Sequence, residues 1–253
     1  MSDLPSIRRV RHELKRRQLQ VARVERLGSD MVRVALKGEE LQGFTSLGFD
    51  DHVKVFFPTN GSPEPALRDL TPRRYDPASG ELWIDFFLHD AGPAAGWARD
   101  AAAGQPIMVG GPRGSSIICT EGIDSHLLIG DETALPAIGR RLEELPSGSR
   151  ALVVIETADG AAGYPLQSQA QLQCEWIARS SAAHSPAHGL IEKLRTLTLP
   201  PGRCFAWAAL ESQAARALRR YLVEERQFDK HWVKAAGYWQ RDAVGVHEVF
   251  GDD

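Results

Sequence analysis

The sequence predicts an α+β protein of two domains, an antiparallel β-barrel followed by a doubly wound α/β domain. Three observations carry this. Up to about residue 118, apolar residues come in short runs rich in Val, Ile and Phe, separated by Gly, Pro, Asn and Asp. Beyond about residue 121, such runs alternate with segments of helical period, as in βα units. A chain of 253 residues is also long for one core. The change of pattern, at CTEGIDS, therefore marks a boundary and gives domains 1–122 and 123–253.

The strands expected in the first domain are QLQVARVERL (18–27), MVRVALKG (31–38), HVKVFFP (52–58), ELWIDFFLH (81–89) and PIMVGGP (106–112). One helix interrupts them, PAAGWARDAAAG (93–104), rich in Ala and ended by Gly. The basic run RRVRHELKRR (8–17) reads as the solvated face of a short N-terminal helix. In the second domain the order is strand HLLIGD, helix TALPAIGRRLEEL, strands RALVVIET and QLQCEWIA, helix HGLIEKLRTL, strand CFAWAAL, helix SQAARALRRYLVEER and strand KHWVKAAGYW. Such alternation implies a mostly parallel sheet covered on both faces.

Composition narrows the function. Apolar residues make up 43% and charged residues 25%, which is globular. A net charge of -3 offers no general attraction to nucleic acid. No apolar run approaches membrane-spanning length, and MSDLPSIRR lacks the apolar core of a signal peptide, so a cytoplasmic protein is expected. A monomer is expected as well. Cys119, Cys174 and Cys204 form no CxxC pair and read as buried fillers, with no disulfide, zinc or iron–sulfur site. HSPAH (184–188) reads as a surface loop, because Pro186 disfavours a helix that would set the two histidines on one face.

In α/β sheets, ligands collect where strands end and helix starts leave N–H groups unpaired. Three segments fit: FLHDAGPAAGWA, with small residues Ala94 and Ala95 after Gly92; VGGPRGSS, carrying Arg113 and two hydroxyls; and IGDETALPAI, with Thr133 as N-cap and Pro136 in the first turn. The stretch LRDLTPRRYD (67–76) reads as a connection between strands. Arg68 can grip a diphosphate with two parallel hydrogen bonds, and Thr71 can address a ring nitrogen. Against this stands a solvated loop in which Arg68, Arg73 and Arg74 pair with Asp69 and Asp76.

The motifs HVKVFFP, RDLTPRRYD, FLHDAGPAAGWA with GGPRGSS, GDETALPAIGRRLEELP, FAWAALESQAARALRRYL and AGYWQRDAVGVHE occur in one order over nearly the whole chain. This combination resembles the siderophore-interacting proteins, FAD-dependent ferric-siderophore reductases of the ferredoxin-reductase-like flavoproteins. The resemblance implies an FAD-binding barrel and a domain for NADPH or NADH, reducing a ferric siderophore. It implies Arg68 at the FAD diphosphate, Thr71 near the flavin N5, and Leu70 where the family has Tyr. His89, Gly92, Ala94 and Ala95 would line the diphosphate, Arg113, Ser115 and Thr133 the adenosine half, and Tyr238 and Trp239 would shield the flavin. Lys54, Arg73 and Arg241 would attract an anionic chelate, and Arg179 would be placed for a 2'-phosphate. Leu210 replaces a small residue of the family. The rival readings are a flavin or ferric reductase with another acceptor, and a ferric-chelate-binding module without turnover.

Overall fold

In strand β2 (Arg16–Arg26) the side chains of Arg17, Leu19 and Val21 are buried, while Arg16, Gln18 and Gln20 are exposed. This period of two is what a sheet with one wet face demands. The computed structural model describes residues 4–59, 61, 63–89, 92–160, 163–179, 185–241 and 248–250. These divide into two compact units, one made of Ile7–Ile118 with Gly163–Pro165, the other of the remaining residues.

The first unit is an antiparallel sheet of seven strands. Its order is β5 (Ala66–Leu70), β4 (Val53–Phe57), β8 (Pro106–Gly110), β2, β3 (Met31–Lys37), β7 (Glu81–Phe87) and β6 (Pro72–Asp76). The two edge strands, β5 and β6, are separated in the chain by Thr71 alone. Two steps of extended chain reach about 7 Å, so the sheet has to curl until its edges meet at that residue. The stretch expected to be a connection is thus two strands. Arg, Asp and Pro are poor strand formers, and pairing with Val53–Phe57 on one side and Glu81–Phe87 on the other outweighs them.

Inward residues Leu19, Val21, Val34, Val55, Phe57, Ile84, Phe86 and Val109 form the barrel core. Helix α1 (Pro93–Arg99) inserts Trp97 between Phe57 and Phe86, at 5.6 and 5.7 Å between ring centroids. It stops at Arg99, short of the expected Gly104, which at φ 87 serves a turn instead. The N-terminal basic run is a strand as well. β1 (Ile7–Arg11) pairs antiparallel with β9 (Gly114–Ile118), Ile7 opposite Ile118 and Arg11 opposite Gly114, and Arg16 and Arg17 begin β2. A helix there would have left β9 without its partner.

The second unit is a six-stranded sheet in the order β12 (Gln171–Ala178), β11 (Arg150–Thr157), β10 (Ser125–Asp131), β13 (Cys204–Glu211), β14 (Val233–Trp239) and β15 (Glu248–Phe250). All pairings are parallel except β14 with β15. Every residue of β10 is buried, as a central strand covered on both faces requires. Helices α2 (Leu135–Glu144), α3 (His188–Thr196) and α4 (Ser212–Arg220) follow β10, β12 and β13. A Cβ at Gly130 would lie 2.4 Å from the Ala134 Cβ, so only glycine lets the turn before α2 close over the strand. Strand order reverses between β10 and β13, which sets a crevice at their carboxyl ends. The strand expected from Lys230 begins at Val233, after a single 3-10 turn. Of the three cysteines only Cys204 is buried; Cys119 and Cys174 are partly exposed.

Candidate functional site

Register decides where Arg68 points. Directly opposed residues of an antiparallel pair share a face. Arg68 lies opposite Val55, and Leu70 opposite Val53, so both take the side of the inward valines. Asp69 lies opposite Lys54 on the outer side and binds its Nζ at 2.7 Å. Leu70 packs on the barrel core. Arg68 is half-buried and donates to the Leu67 carbonyl at 2.8 Å; among the described residues it meets no carboxylate. Its expected competitors are occupied elsewhere, Asp69 by Lys54 and Asp76 by the Ala78 N–H and the Ser79 hydroxyl, each at 2.9 Å.

The start of α1 is the second element. Gly92 caps it at φ 124, and a Cβ there would sit 3.0 Å from the His89 Cε1. The first-turn amides of Ala94 and Ala95 lie outside the intrahelical ladder. Trp97 anchors this helix on Phe57, whose neighbour in β5 is Ala66, two residues from Arg68. An inward arginine that meets no carboxylate among the described residues, and helix-start amides with no side-chain cap bond in the same unit, suit a diphosphate. Thr71, three residues on from Arg68, is buried. His89 is exposed, its ring tilted 6.0 Å from that of Phe87 and its carbonyl accepting from Arg99. Asp90 and Ala91 of the same motif lie outside the described residues.

Other expected residues are committed to the barrel itself. Ser115 is buried, donates to Asp51 at 2.5 Å, accepts from the Leu47 N–H at 2.9 Å and lies 2.8 Å from the His12 Nε2. A hydroxyl has one donor and two acceptor positions, so its capacity is spent there and not on an adenosine. Arg73, expected to face a chelate, has a side chain only 3% exposed, 3.1 Å from the Tyr164 hydroxyl and 3.9 Å from Asp85. It belongs to the barrel wall because its β6 position turns it toward that buried acid. Arg113 is exposed, and Lys54, despite its partner, keeps 38% of its side chain in solvent. Arg241 is exposed in a turn after β14.

In the α/β unit the crevice is organised by Asp131, which sequence reasoning passed over. Its Oδ1 accepts from the Thr133 amide at 2.9 Å and hydroxyl at 2.5 Å, and its Oδ2 from the Trp239 Nε1 at 2.7 Å. Asp131, not Thr133, is the cap, and the strand-final Asp two residues before Thr was the available signal. Trp239 is fixed by this bond, and Tyr238 stands edge-on to Trp207 at 6.0 Å. Leu210 is buried in the core with Ala206, Ala208 and Leu218, so its side chain takes no room in the crevice. Glu211 accepts from Gln213 and Ala214 and caps α4. Arg179 is held between Glu132 and Glu156. His188 opens α3, while His184 of the same motif lies outside the described residues.

Burial, opposed by the bonds from Thr133 and Trp239, pushes the Asp131 carboxyl up to about 6. A raised folded value means that this group's stabilisation is complete below the ordinary carboxylate range and lost as pH rises through about 6. Asp131→Asn keeps the shape and stays neutral. Urea unfolding at about pH 4.5 and about pH 7.5 should show a smaller decline in stability for the variant than for the native chain.

Comparison with known proteins identifies a family. The family model for a siderophore-interacting FAD-binding domain matches residues 20–68 and 61–116, and that for siderophore-interacting protein matches residues 123–242. The NADPH-dependent ferric-chelate reductase of Escherichia coli is 36% identical over 251 residues, covering 91% of this chain and 95% of that protein. Ferric vibriobactin reductase of Vibrio cholerae is 31% identical over 245 residues, covering 89% of each. The crystal structure of a siderophore utilization protein from T. fusca superposes with a TM-score of 0.86 at 34% identity, covering 95% of this chain and 98% of that one.

Proposed function

This chain belongs to the siderophore-interacting protein family, and on that premise we propose that it reduces ferric siderophores with electrons from NADPH or NADH through FAD, in the cytosol. The observation that carries the reading is Arg68, turned to the inner side of an edge strand and meeting no carboxylate among the described residues, in the unit that also holds the start of α1. Arg68 and the amides of Ala94 and Ala95 would hold the FAD diphosphate, with Thr71 beside the ring. The chemistry that FAD would supply there is the conversion of an electron pair from a nicotinamide nucleotide into single electrons, which a one-electron metal acceptor needs.

The protein's own share is binding and orientation. The crevice between β10 and β13 would receive the nicotinamide nucleotide, with Asp131 fixing Trp239 at its edge. Ferric siderophores hold iron in a hard, oxygen-rich shell that discriminates against the larger, less charged ferrous ion, so reduction loosens the grip. Lys54, Arg113 and Arg241 supply exposed positive charge for an anionic chelate. The burial of Leu210 takes away one reason to read the chain as a carrier without turnover.

The test is spectral. Protein mixed with FAD should retain the yellow flavin through gel filtration, and anaerobic addition of a nicotinamide nucleotide should bleach it; colourless protein that cannot be loaded contradicts the reading. Leu70→Tyr restores an aromatic face worth about 0.5–1.5 kcal/mol, so FAD should bind up to about tenfold more tightly by fluorescence titration.

A further inference from the structure

Strand β1 and the chain that follows it gather charge that the proposed reaction does not use. Arg8, Arg9, Arg11, Lys15 and Arg16 are all exposed, in a chain whose net charge is -3. The only acid from 7 to 17 is Glu13, paired with Lys15 at 2.9 Å. Strand alternation sets Ile7, Arg9 and Arg11 on one face, while His12 turns the other way to Ser115. Arg8, Arg9 and Arg11 therefore stand on a paired strand and not on a loose tail. Ile7, 39% exposed, shares the face of Arg9 and Arg11, and Leu14, 63% exposed, follows Arg11 by three residues.

We propose that this segment docks the protein on an anionic lipid surface. A row of cations attracts any polyanion. The interleaved Ile and Leu decide between classes, since they gain by burial at a bilayer interface and nothing from a phosphodiester backbone. Proteins that hold single-stranded nucleic acid stack its bases on aromatic side chains, and no exposed large apolar residue among those described is aromatic.

The test is co-sedimentation of the full-length protein with vesicles of phosphatidylcholine, with and without phosphatidylglycerol. Binding should require phosphatidylglycerol and be released by salt. Each basic residue near such a surface contributes about fivefold, so Arg8→Thr, Arg9→Thr and Arg11→Thr together should weaken partition about a hundredfold. Circular dichroism and flavin loading establish that this variant is folded, and Leu14→Ser tests the aliphatic share separately, with a weaker partition expected. Equal partition onto neutral and anionic vesicles, an unaffected triple variant, or tighter binding to a single-stranded RNA oligonucleotide than to vesicles would overturn the proposal. Loss of flavin binding bears on the proposed reaction alone, because vesicle partition does not depend on flavin.

Discussion

Asp85→Ala is expected to destabilise the barrel by about 3–5 kcal/mol, the usual result of removing one partner from a buried ion pair. The Asp85 side chain has no solvent exposure. Arg33 donates to its two oxygens at 2.7 and 2.8 Å, and the Tyr164 hydroxyl donates to Oδ2 while accepting from the Arg73 Nε. Burial first, and then the Asp85 charge, pushes the Tyr164 hydroxyl well above its ordinary range, so it remains a donor throughout the working pH range. Without the carboxylate, Arg73 stays buried and loses the Asp85 charge. Urea unfolding of the variant should show the loss directly. Tyr164→Phe should cost less, about 1–3 kcal/mol, because it removes hydrogen bonds and leaves the charges paired. Equal stability of Asp85→Ala and the native chain would show that this network does not hold the barrel.

Arg68→Ala is expected to weaken FAD binding roughly a hundredfold, about 3 kcal/mol, since it takes away charge-assisted bonds to a diphosphate. Folding should be little affected, because Arg68 is half-buried at a sheet edge and its only described bond is to the neighbouring carbonyl. Fluorescence titration of FAD against both proteins measures the ratio. Arg68→Lys should recover part of it, a point charge without the two-pronged geometry.

The alternating strands 18–27, 31–38 and 81–89 and the βα order after 121 were legible because their signal is local. The edge strands Ala66–Leu70 and Pro72–Asp76 were not: their residues disfavour strands, and only partners distant in sequence commit them to the sheet. The same holds for Ile7–Arg11, whose partner β9 lies more than a hundred residues away. Tyr164 is the clearest case. Seventy-nine residues separate it from Asp85, and nothing in its neighbourhood signals that Gly163–Pro165 belongs to the barrel unit. Residue types alone favour a solvated loop for Arg68; the resemblance is what implies a ligand for it. Telling Arg68 from Arg73, the one half-buried on the inner side of an edge strand and the other buried in the wall, needed the register.

The most direct measurement is an anaerobic stopped-flow experiment in which FAD-loaded protein, bleached by a nicotinamide nucleotide, is mixed with a small panel of ferric siderophores. The flavin absorbance should return as iron is reduced, at a rate that rises with chelate concentration, and a ferrous-specific chromophore should appear in step. Flavin that stays bleached with every ferric siderophore, while returning normally with oxygen, would contradict reduction of ferric siderophores by this protein.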